Sequence, residues 1–408
     1  MTRPSDEDLR ARLERAAVPG ADDARTRARD EVMTAFAARR PRPRRRRRAG
    51  AAILVGATAL ALAAATAPGA AVADWVVLLV GAGQPAPTRS VIGALPAPGR
   101  LLVSSPAGTW IVERNGGRRE LGSYRGASWS PRGRFVVAWR GRELSALAPD
   151  GRVAWRLMAL GPVREARWSP DGFRVAYRRD SALAVVAGDG SAPRLLDDRV
   201  ASVAIAWRPG ARRTLAWVDA DDRVVVADVD RVAGARRFAA AVPGARELAW
   251  APGGRQLLVL GGAGSALRLL DTQTERVRAI GLARGERAVA AAWAPAAHAP
   301  RLAVIVTRAR SSRLLVSAIG RRLDDRPVFA TSGRLTSVDW SPDASRLLVR
   351  WADADQWLFL PANGRGSIAA VSPVARRFRG APTIRGWCCV ARSPRAATAP
   401  PRRGAGAR

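Results

Sequence analysis

The stretch Trp168-Ser-Pro-Asp-Gly-Phe-Arg-Val-Ala-Tyr177 sets the pattern for most of the chain. It predicts a short strand that ends at Trp168, a tight turn through residues 169–172, and a second strand over residues 173–177. Pro170 fixes φ for the turn and Gly172 accepts a positive φ, so the chain can reverse direction here. An isolated hairpin is only marginally stable in water, and its stability must therefore come from similar units packed beside it.

Further copies of the Trp-x-Pro step follow along the chain, each before an apolar run rich in β-branched residues or leucine. They begin at Trp129, Trp207, Trp250, Trp293 and Trp340. From Trp129 to Trp340, including Trp168, the successive spacings are 39, 39, 43, 43 and 47 residues. This period is typical of a four-stranded propeller blade, because the intervals contain strand patterns and almost no helical periodicity.

The intact Trp-Ser-Pro-Asp-Gly sequence at residues 168–172 resembles the hallmark of the WD40-like (PD40) repeats of TolB-type propellers. The other copies are degenerate: Ala344 replaces the glycine after Trp340, Arg132 replaces the aspartate after Trp129, and three copies keep only Trp and Pro. The resemblance implies an all-β propeller that serves as a binding or scaffolding module of the cell envelope. It does not indicate a ligand, because propellers carry many unrelated activities.

The number of blades depends on the two ends of the repeat region. Residues 100–122 supply three strands with no Trp-bearing strand before them, whereas residues 383–387 supply a Trp-bearing strand with none after it. Trp387 lies 47 residues beyond Trp340, which equals the preceding spacing. We therefore predict a seven-bladed β-propeller in which residues 383–389 form the innermost strand beside residues 100–122. A six-bladed ring is the alternative.

Residues 1–48 are predicted to form a short α-helical segment that ends in a polyarginine run. Ser5 begins a first helix that stops at residues 18–20, and a second helix is expected from about Asp22 to Arg40. So few large apolar side chains cannot build an independent core. A solvated helical pair and a docking module for a cytoplasmic protein are both open.

Residues 49–73 contain no charged side chain and directly follow the arginines of residues 39–48. This combination predicts one transmembrane helix, a signal anchor that keeps residues 1–48 in the cytoplasm and places the propeller outside the cell membrane. A cleaved signal peptide ending at Ala73 is the alternative. Residues 74–99 then form a linker, residues 100–391 the propeller, and residues 392–408 a disordered tail rich in Pro, Ala and Arg.

The formal net charge of +34 comes from arginine, since the chain contains no lysine. The high content of Ala, Gly and Pro suggests that a GC-rich genome contributes to this bias. The arginines are dispersed through the strands without interleaved aromatic residues, which does not favour nucleic-acid binding. An anionic lipid or envelope polymer fits the charge and the predicted topology better.

No residue type in the chain points to catalysis. His298 is the single histidine, so any Ser-His-Asp or Cys-His mechanism and any histidine-built metal site would depend on it. It lies in an Ala/Pro loop, and no Gly-x-Ser-x-Gly elbow accompanies it. We therefore predict no catalytic residue and no cofactor, and paired carboxylates around a propeller channel are not marked in the sequence.

Two other patterns have simpler interpretations. Residues 219–222 and 353–355 resemble calcium loops, but they lie between predicted strands, where Asp favours turns, and they lack the glycine and glutamate of an EF-hand. We predict turns and no metal there. Cys388 and Cys389 are adjacent, and neighbours on a strand point to opposite faces, so a bond between them would need a distorted peptide. Unpaired and intermolecular states are both open.

The sequence thus predicts a membrane-anchored, extracytoplasmic binding or scaffolding module rather than an enzyme. Its partners would be an unknown protein or envelope polymer on the propeller and a cytoplasmic protein on residues 1–48. Two alternatives remain: a transmembrane signalling or anti-sigma-like regulator with a propeller sensor, and a propeller-based hydrolase or lyase. The seven repeat tryptophans are predicted to be structural.

Overall fold

The computed structural model describes residues 93–262, 266–295, 300–319, 322–323 and 326–389. The predictions for residues 1–48, 49–73 and 392–408, for most of the linker and for His298 lie outside these ranges. No helix within the described ranges is long and apolar enough to cross a membrane.

The described residues form seven four-stranded antiparallel sheets, each of which is one propeller blade. Blade 1 contains β4 (Gly126–Trp129), β5 (Val136–Arg140), β6 (Glu143–Leu147) and β7 (Val153–Met158); blade 2 contains β8 (Val163–Trp168), β9 (Arg174–Arg179), β10 (Ala182–Ala187) and β11 (Arg194–Asp197). Blade 3 contains β12 (Ala206–Trp207), β13 (Thr214–Val218), β14 (Arg223–Asp228) and β15 (Arg236–Ala241); blade 4 contains β16 (Ala245–Trp250), β17 (Gln256–Gly261), β18 (Ala266–Asp271) and β19 (Val277–Ile280).

The remaining three blades complete the ring. Blade 5 contains β20 (Arg287–Trp293), β21 (Arg301–Arg308), β22 (Ser311–Ala318) and β23 (Phe329–Thr331); blade 6 contains β24 (Leu335–Trp340), β25 (Arg346–Trp351), β26 (Gln356–Pro361) and β27 (Ala369–Val371). Blade 7 combines β28 (Thr383–Cys388) with β1 (Arg100–Ser105), β2 (Gly108–Val112) and β3 (Arg118–Gly122). A single helical turn, α1 (Val374–Arg377), precedes β28, and a 3-10 turn covers Val232–Gly234.

The last strand closes the ring, as the sequence predicted. β28 pairs antiparallel with β1, placing Trp387 opposite Leu101 and Thr383 opposite Ser104. The innermost strands of consecutive blades contact each other around the ring, and β28 contacts both β24 and β4. The seven-bladed prediction is therefore confirmed, and the six-bladed alternative is wrong. The pairing with β28 covers the edge of β1 that would otherwise be exposed.

The Trp-Ser-Pro-Asp-Gly turn forms through its polar side chains. The Ser169 amide donates to the Arg174 carbonyl, while the Ser169 hydroxyl donates to Asp171 Oδ1 at 2.6 Å. The same aspartate oxygen accepts the Phe173 amide at 3.0 Å. Gly172 has a φ of 80°, which glycine adopts without steric cost. The second strand begins at Arg174 rather than at Phe173, since Phe173 still belongs to the turn and is largely exposed.

The hydrophobic core lies between neighbouring sheets. Where blade 6 meets blade 7, the rings of Phe359 and Trp387 pack edge to face with centroids 5.6 Å apart. Nearby, Phe378 packs against Trp357 at 5.0 Å and against Trp110 at 5.7 Å. Such aromatic contacts add to the apolar area that the rings bury. This interface therefore contributes substantially to holding the closing strand in place.

Candidate functional site in the central channel

The innermost strands carry the repeat tryptophans at or next to their last residue, and these tryptophans link one blade to the next. In four blades the indole nitrogen donates to the carbonyl of the residue just before the preceding blade's tryptophan. These bonds are Trp207 to Arg167 at 3.0 Å, Trp250 to Ala206 at 3.0 Å, Trp293 to Ala249 at 3.1 Å and Trp340 to Ala292 at 2.9 Å. The repeat tryptophans of these four blades thus join each blade to the preceding one by a hydrogen bond, a role that the sequence did not reveal.

The other three indoles, in the consecutive blades 7, 1 and 2, are arranged differently. The indole nitrogens of Trp387, Trp129 and Trp168 are buried and have no acceptor in the structure. Trp168 and Trp387 are only 8% and 7% exposed. Buried donors without partners are uncommon, because each forfeits its hydrogen bond to water. All three side chains line one cavity in the channel.

That cavity has a volume of about 450 Å³ and is enclosed by the innermost strands of blades 7, 1, 2, 3 and 4. Its lining comprises Ser128, Trp129, Arg167, Trp168, Ile205, Ala206, Trp207, Glu247, Leu248, Ala249, Arg385, Gly386, Trp387 and Cys388. The residue just before the repeat tryptophan is Gly, Ala or Ser in five blades. The two exceptions are Arg167 and Asp339. Small residues leave the channel open, while the exceptions place charge inside it.

One pair of charges in the channel is internally satisfied. Arg167 donates from Nε to Glu165 Oε1 at 2.9 Å, and Glu165 Oε2 accepts the Ile205 amide of the next blade at 3.1 Å. The Arg167 side chain is 49% exposed, and this exposed part faces the open channel, whose walls are formed by the surrounding blades. Burial opposes its charge, but the nearby carboxylates outweigh that effect and raise its pKa.

Two further carboxylates in the channel lack such support. Burial raises the pKa of Glu247, and Arg167 only partly opposes this effect. Burial, assisted by the charge of Glu247, raises the pKa of Asp339 to about 7. The folded chain therefore holds the Asp339 proton more tightly than the unfolded chain does. This contribution to stability is complete below the ordinary carboxyl pKa of about 4 and is lost as the pH rises through about 7.

Arg385 is the least compensated cation of the cavity. Burial and the charge of Arg167 lower its pKa. Its Nε is buried without an acceptor, and its guanidinium makes only one long contact, from Nη2 to the Arg125 carbonyl at 3.4 Å. No carboxylate within the described ranges forms an ion pair with Arg385. An uncompensated buried charge is costly, and such groups are common at binding sites.

A larger groove, of about 690 Å³, lies on the surface at the Trp-Ser-Pro-Asp-Gly turn of blade 2. Two of the three arginines along it, Arg174 and Arg213, already have partners. Arg174 pairs with Asp230 at 2.5 Å, and Arg213 lies 3.6 Å from the same carboxylate. The groove therefore has fewer unmet polar groups than the channel, despite its greater volume.

The aspartate-rich segments form turns, as the sequence suggested. Asp219 Oδ1 accepts the amides of Asp221 and Arg223, at 3.0 and 2.9 Å. Asp353 pairs with Arg334 at 2.7 Å. Both carboxylate oxygens of Asp355 accept the amide of Ala375, the second residue of α1. In the part of the chain that the structure describes, no group of three or more His, Cys, Asp or Glu side chains could hold a metal ion.

The structure corrects the expectation for the cysteines. Cys388 and Cys389 form a disulfide with each other rather than remaining unpaired or bonding between molecules. The strand alternation on which the expectation rested ends at Cys388, the last residue of β28. Cys389 has a φ of 66°, so its side chain does not follow the geometry of the strand.

The sequence analysis located the repeat tryptophans but not the charged cluster beside them. Glu165, Arg167, Glu247, Asp339 and Arg385 come from four different blades and are far apart in the chain. A usable signal was nevertheless present. Charged residues one to three positions before a repeat tryptophan interrupt an otherwise small or apolar set, and the propeller fold brings those positions together around the channel.

No protein-family model matches the chain, and no curated protein matches it significantly. Solved structures with similar folds include a TolB from Agrobacterium tumefaciens, which is 16% identical with a TM-score of 0.44. The match covers 63% of this chain and 99% of that one. The propeller domain of Cps50 (Swd1) from Myceliophteria thermophila is 14% identical with a TM-score of 0.48, covering 62% of this chain and 90% of that one. Hsv2 from Kluyvelomyces marxianus is 11% identical with a TM-score of 0.49, and the match covers 67% of this chain and 93% of that one. At these identities the similarity concerns the fold alone.

Proposed function

We propose that the chain is a membrane-anchored propeller that acts outside the cytoplasm as a binding module, with its ligand site in the central channel. The observation that supports this most directly is the cavity of about 450 Å³ among blades 7, 1, 2, 3 and 4. It combines aromatic walls with charged groups that have few partners within the protein, and this composition is typical of small-molecule sites.

The anchoring part of the proposal depends on residues 39–73, where a polyarginine run precedes an uncharged span. In this arrangement residues 1–48 stay in the cytoplasm and are available to a cytoplasmic protein. The outer surface of the propeller is available to a protein or an anionic polymer of the envelope, as the net charge of +34 favours.

The binding function can be tested in intact cells by photo-crosslinking. A photoreactive phenylalanine derivative would replace Ala249, which lines the cavity, and in a matched control it would replace Arg119, which is exposed on β3. We expect a defined small-molecule adduct, detected by mass spectrometry, at position 249 and not at position 119. Equal adducts at the two positions, or none at position 249, would contradict a channel site.

A further inference from the structure

Two charged residues of opposite sign that have no ion-pair partner within the described ranges line the channel cavity. Arg385 lies on the innermost strand of blade 7, and Glu247 lies on that of blade 4. Within the described ranges, neither side chain forms an ion pair with any other, and no hydrogen bond occupies the Glu247 carboxylate. Blades 4 and 7 are not neighbours in the ring, and no ion pair within the described ranges joins the two residues.

The donors around Arg385 favour a ligand group that accepts hydrogen bonds. Trp387 is two residues away on the same strand, and Trp129 of the adjacent blade lies against Gly386, where an added Cβ would be 3.6 Å from its Cδ1 atom. Both indole nitrogens lack acceptors. The guanidinium of Arg385 supplies donors only, so a carboxylate is well suited to this side of the cavity.

The side of the cavity near Glu247 favours the opposite charge. A purely anionic ligand would neutralise Arg385 but would place a second negative charge in the same cavity as Glu247. A purely cationic ligand would neutralise Glu247 and leave Arg385 without a partner. Arg167 already pairs with Glu165 at 2.9 Å and opposes the effect of burial on Glu247 only in part, so Glu247 still lacks an ion-pair partner among the residues that the structure describes. Only a ligand that carries both charges removes both costs.

We infer that the channel cavity binds a small zwitterion, such as an amino acid or a short peptide with free ends, with its carboxylate at Arg385 and its ammonium group at Glu247. This inference rests on the proposed binding function and adds the chemical class of the ligand. The cavity, at about 450 Å³, falls within the range of roughly 300–1,000 Å³ that small-molecule sites occupy.

The test is isothermal titration calorimetry on the purified full-length protein in detergent at neutral pH. The probes are glycine, glycylglycine and triglycine, which differ by roughly 3.3–3.6 Å in length per residue and so cover several separations of the two charges. The best of the three is then compared with its N-acetyl and C-terminal amide derivatives. We expect at least one zwitterion to bind, and each blocked derivative to bind at least tenfold more weakly.

Variants assign the two ends of the ligand. Arg385→Gln should weaken the zwitterion at least tenfold and abolish the preference for a free carboxylate over the amide, whereas Glu247→Gln should abolish the preference for a free ammonium group over the acetylated form. Arg385→Lys keeps the charge and should retain the carboxylate preference. Arg119→Gln removes an exposed guanidinium from β3 and should leave all affinities unchanged. Thermal melts of each variant identify any that do not fold.

Three results would overturn the inference: no zwitterion binds at millimolar concentration, the blocked derivatives bind as well as the free ones, or Arg119→Gln acts like Arg385→Gln. Crosslinking at position 249 separates these results from a failure of the proposed function. Adducts at that position without zwitterion binding would leave a binding module with a different class of ligand.

Discussion

Removal of the closing strand tests how much of the stability depends on ring closure. A chain that ends after Pro382 lacks β28, so the edge of β1 becomes unpaired and Ile384 and Trp387, each 7% exposed, are lost from the core. Truncation of a buried Ile costs about 2–5 kcal/mol and that of a buried Trp about 3–5 kcal/mol. The sum of about 5–10 kcal/mol is comparable to the total of roughly 5–15 kcal/mol that stabilises a typical domain.

The truncated protein should therefore unfold or aggregate under conditions in which the full chain is stable. The measurement is guanidinium unfolding followed by tryptophan fluorescence, with size-exclusion chromatography at equal protein concentration. A chain that ends after Cys389 retains β28 and serves as the control, and it should unfold at the same denaturant concentration as the full chain. An unchanged midpoint for the shorter truncation product would refute the view that β28 secures the ring.

Three further predictions concern the tryptophan bonds, the channel carboxylate and the topology. Trp250→Phe removes the indole bond to Ala206, whereas Trp168→Phe removes none, so the first should lower the free energy of unfolding by about 1 kcal/mol more than the second; equal losses in denaturant titrations would disprove this role. Because the pKa of Asp339 is about 7, Asp339→Asn should match the parent near pH 4 and exceed its stability at pH 8. The full shift corresponds to about 4 kcal/mol, and we expect about 2 kcal/mol since the side chain is partly open to the channel; a difference that is independent of pH would contradict the assignment. A reporter fused after Arg408 should be active only outside the cytoplasm, and activity confined to the cytoplasm would reverse the proposed topology.

The sequence predicted the fold well because the determinants of the blades are local. Each Trp-x-Pro step marks the end of an innermost strand, and the turn chemistry after Trp168 is contained within six residues. Even the closing strand was predictable, since the spacing from Trp340 to Trp387 repeats the spacing before it. Local signals of this kind can be recognised in a single sequence, because each blade's signal lies within its own residues.

The channel site was not predictable in the same way, because its properties arise only when distant strands meet. Nothing near Asp339 in the chain raises its pKa; the causes are burial in the channel and the charge of Glu247 from another blade. Similarly, the lack of a partner for Arg385 depends on which carboxylates the closed ring brings near it. The disulfide between Cys388 and Cys389 escaped prediction for a simpler reason, since the strand ends one residue earlier than the alternation argument assumed.

The central claim is that the propeller binds its ligand in the channel, and amide hydrogen exchange of the full-length protein tests it most directly. In the presence of the tightest zwitterionic probe, we predict slower exchange in peptides that cover the ends of β8, β12, β16 and β28, including the Ile205 amide that Glu165 holds. The outermost strands β3, β7 and β15 should exchange as before, and Arg385→Gln should abolish the protection. Protection confined to the outermost strands, or its persistence in Arg385→Gln, would contradict the account.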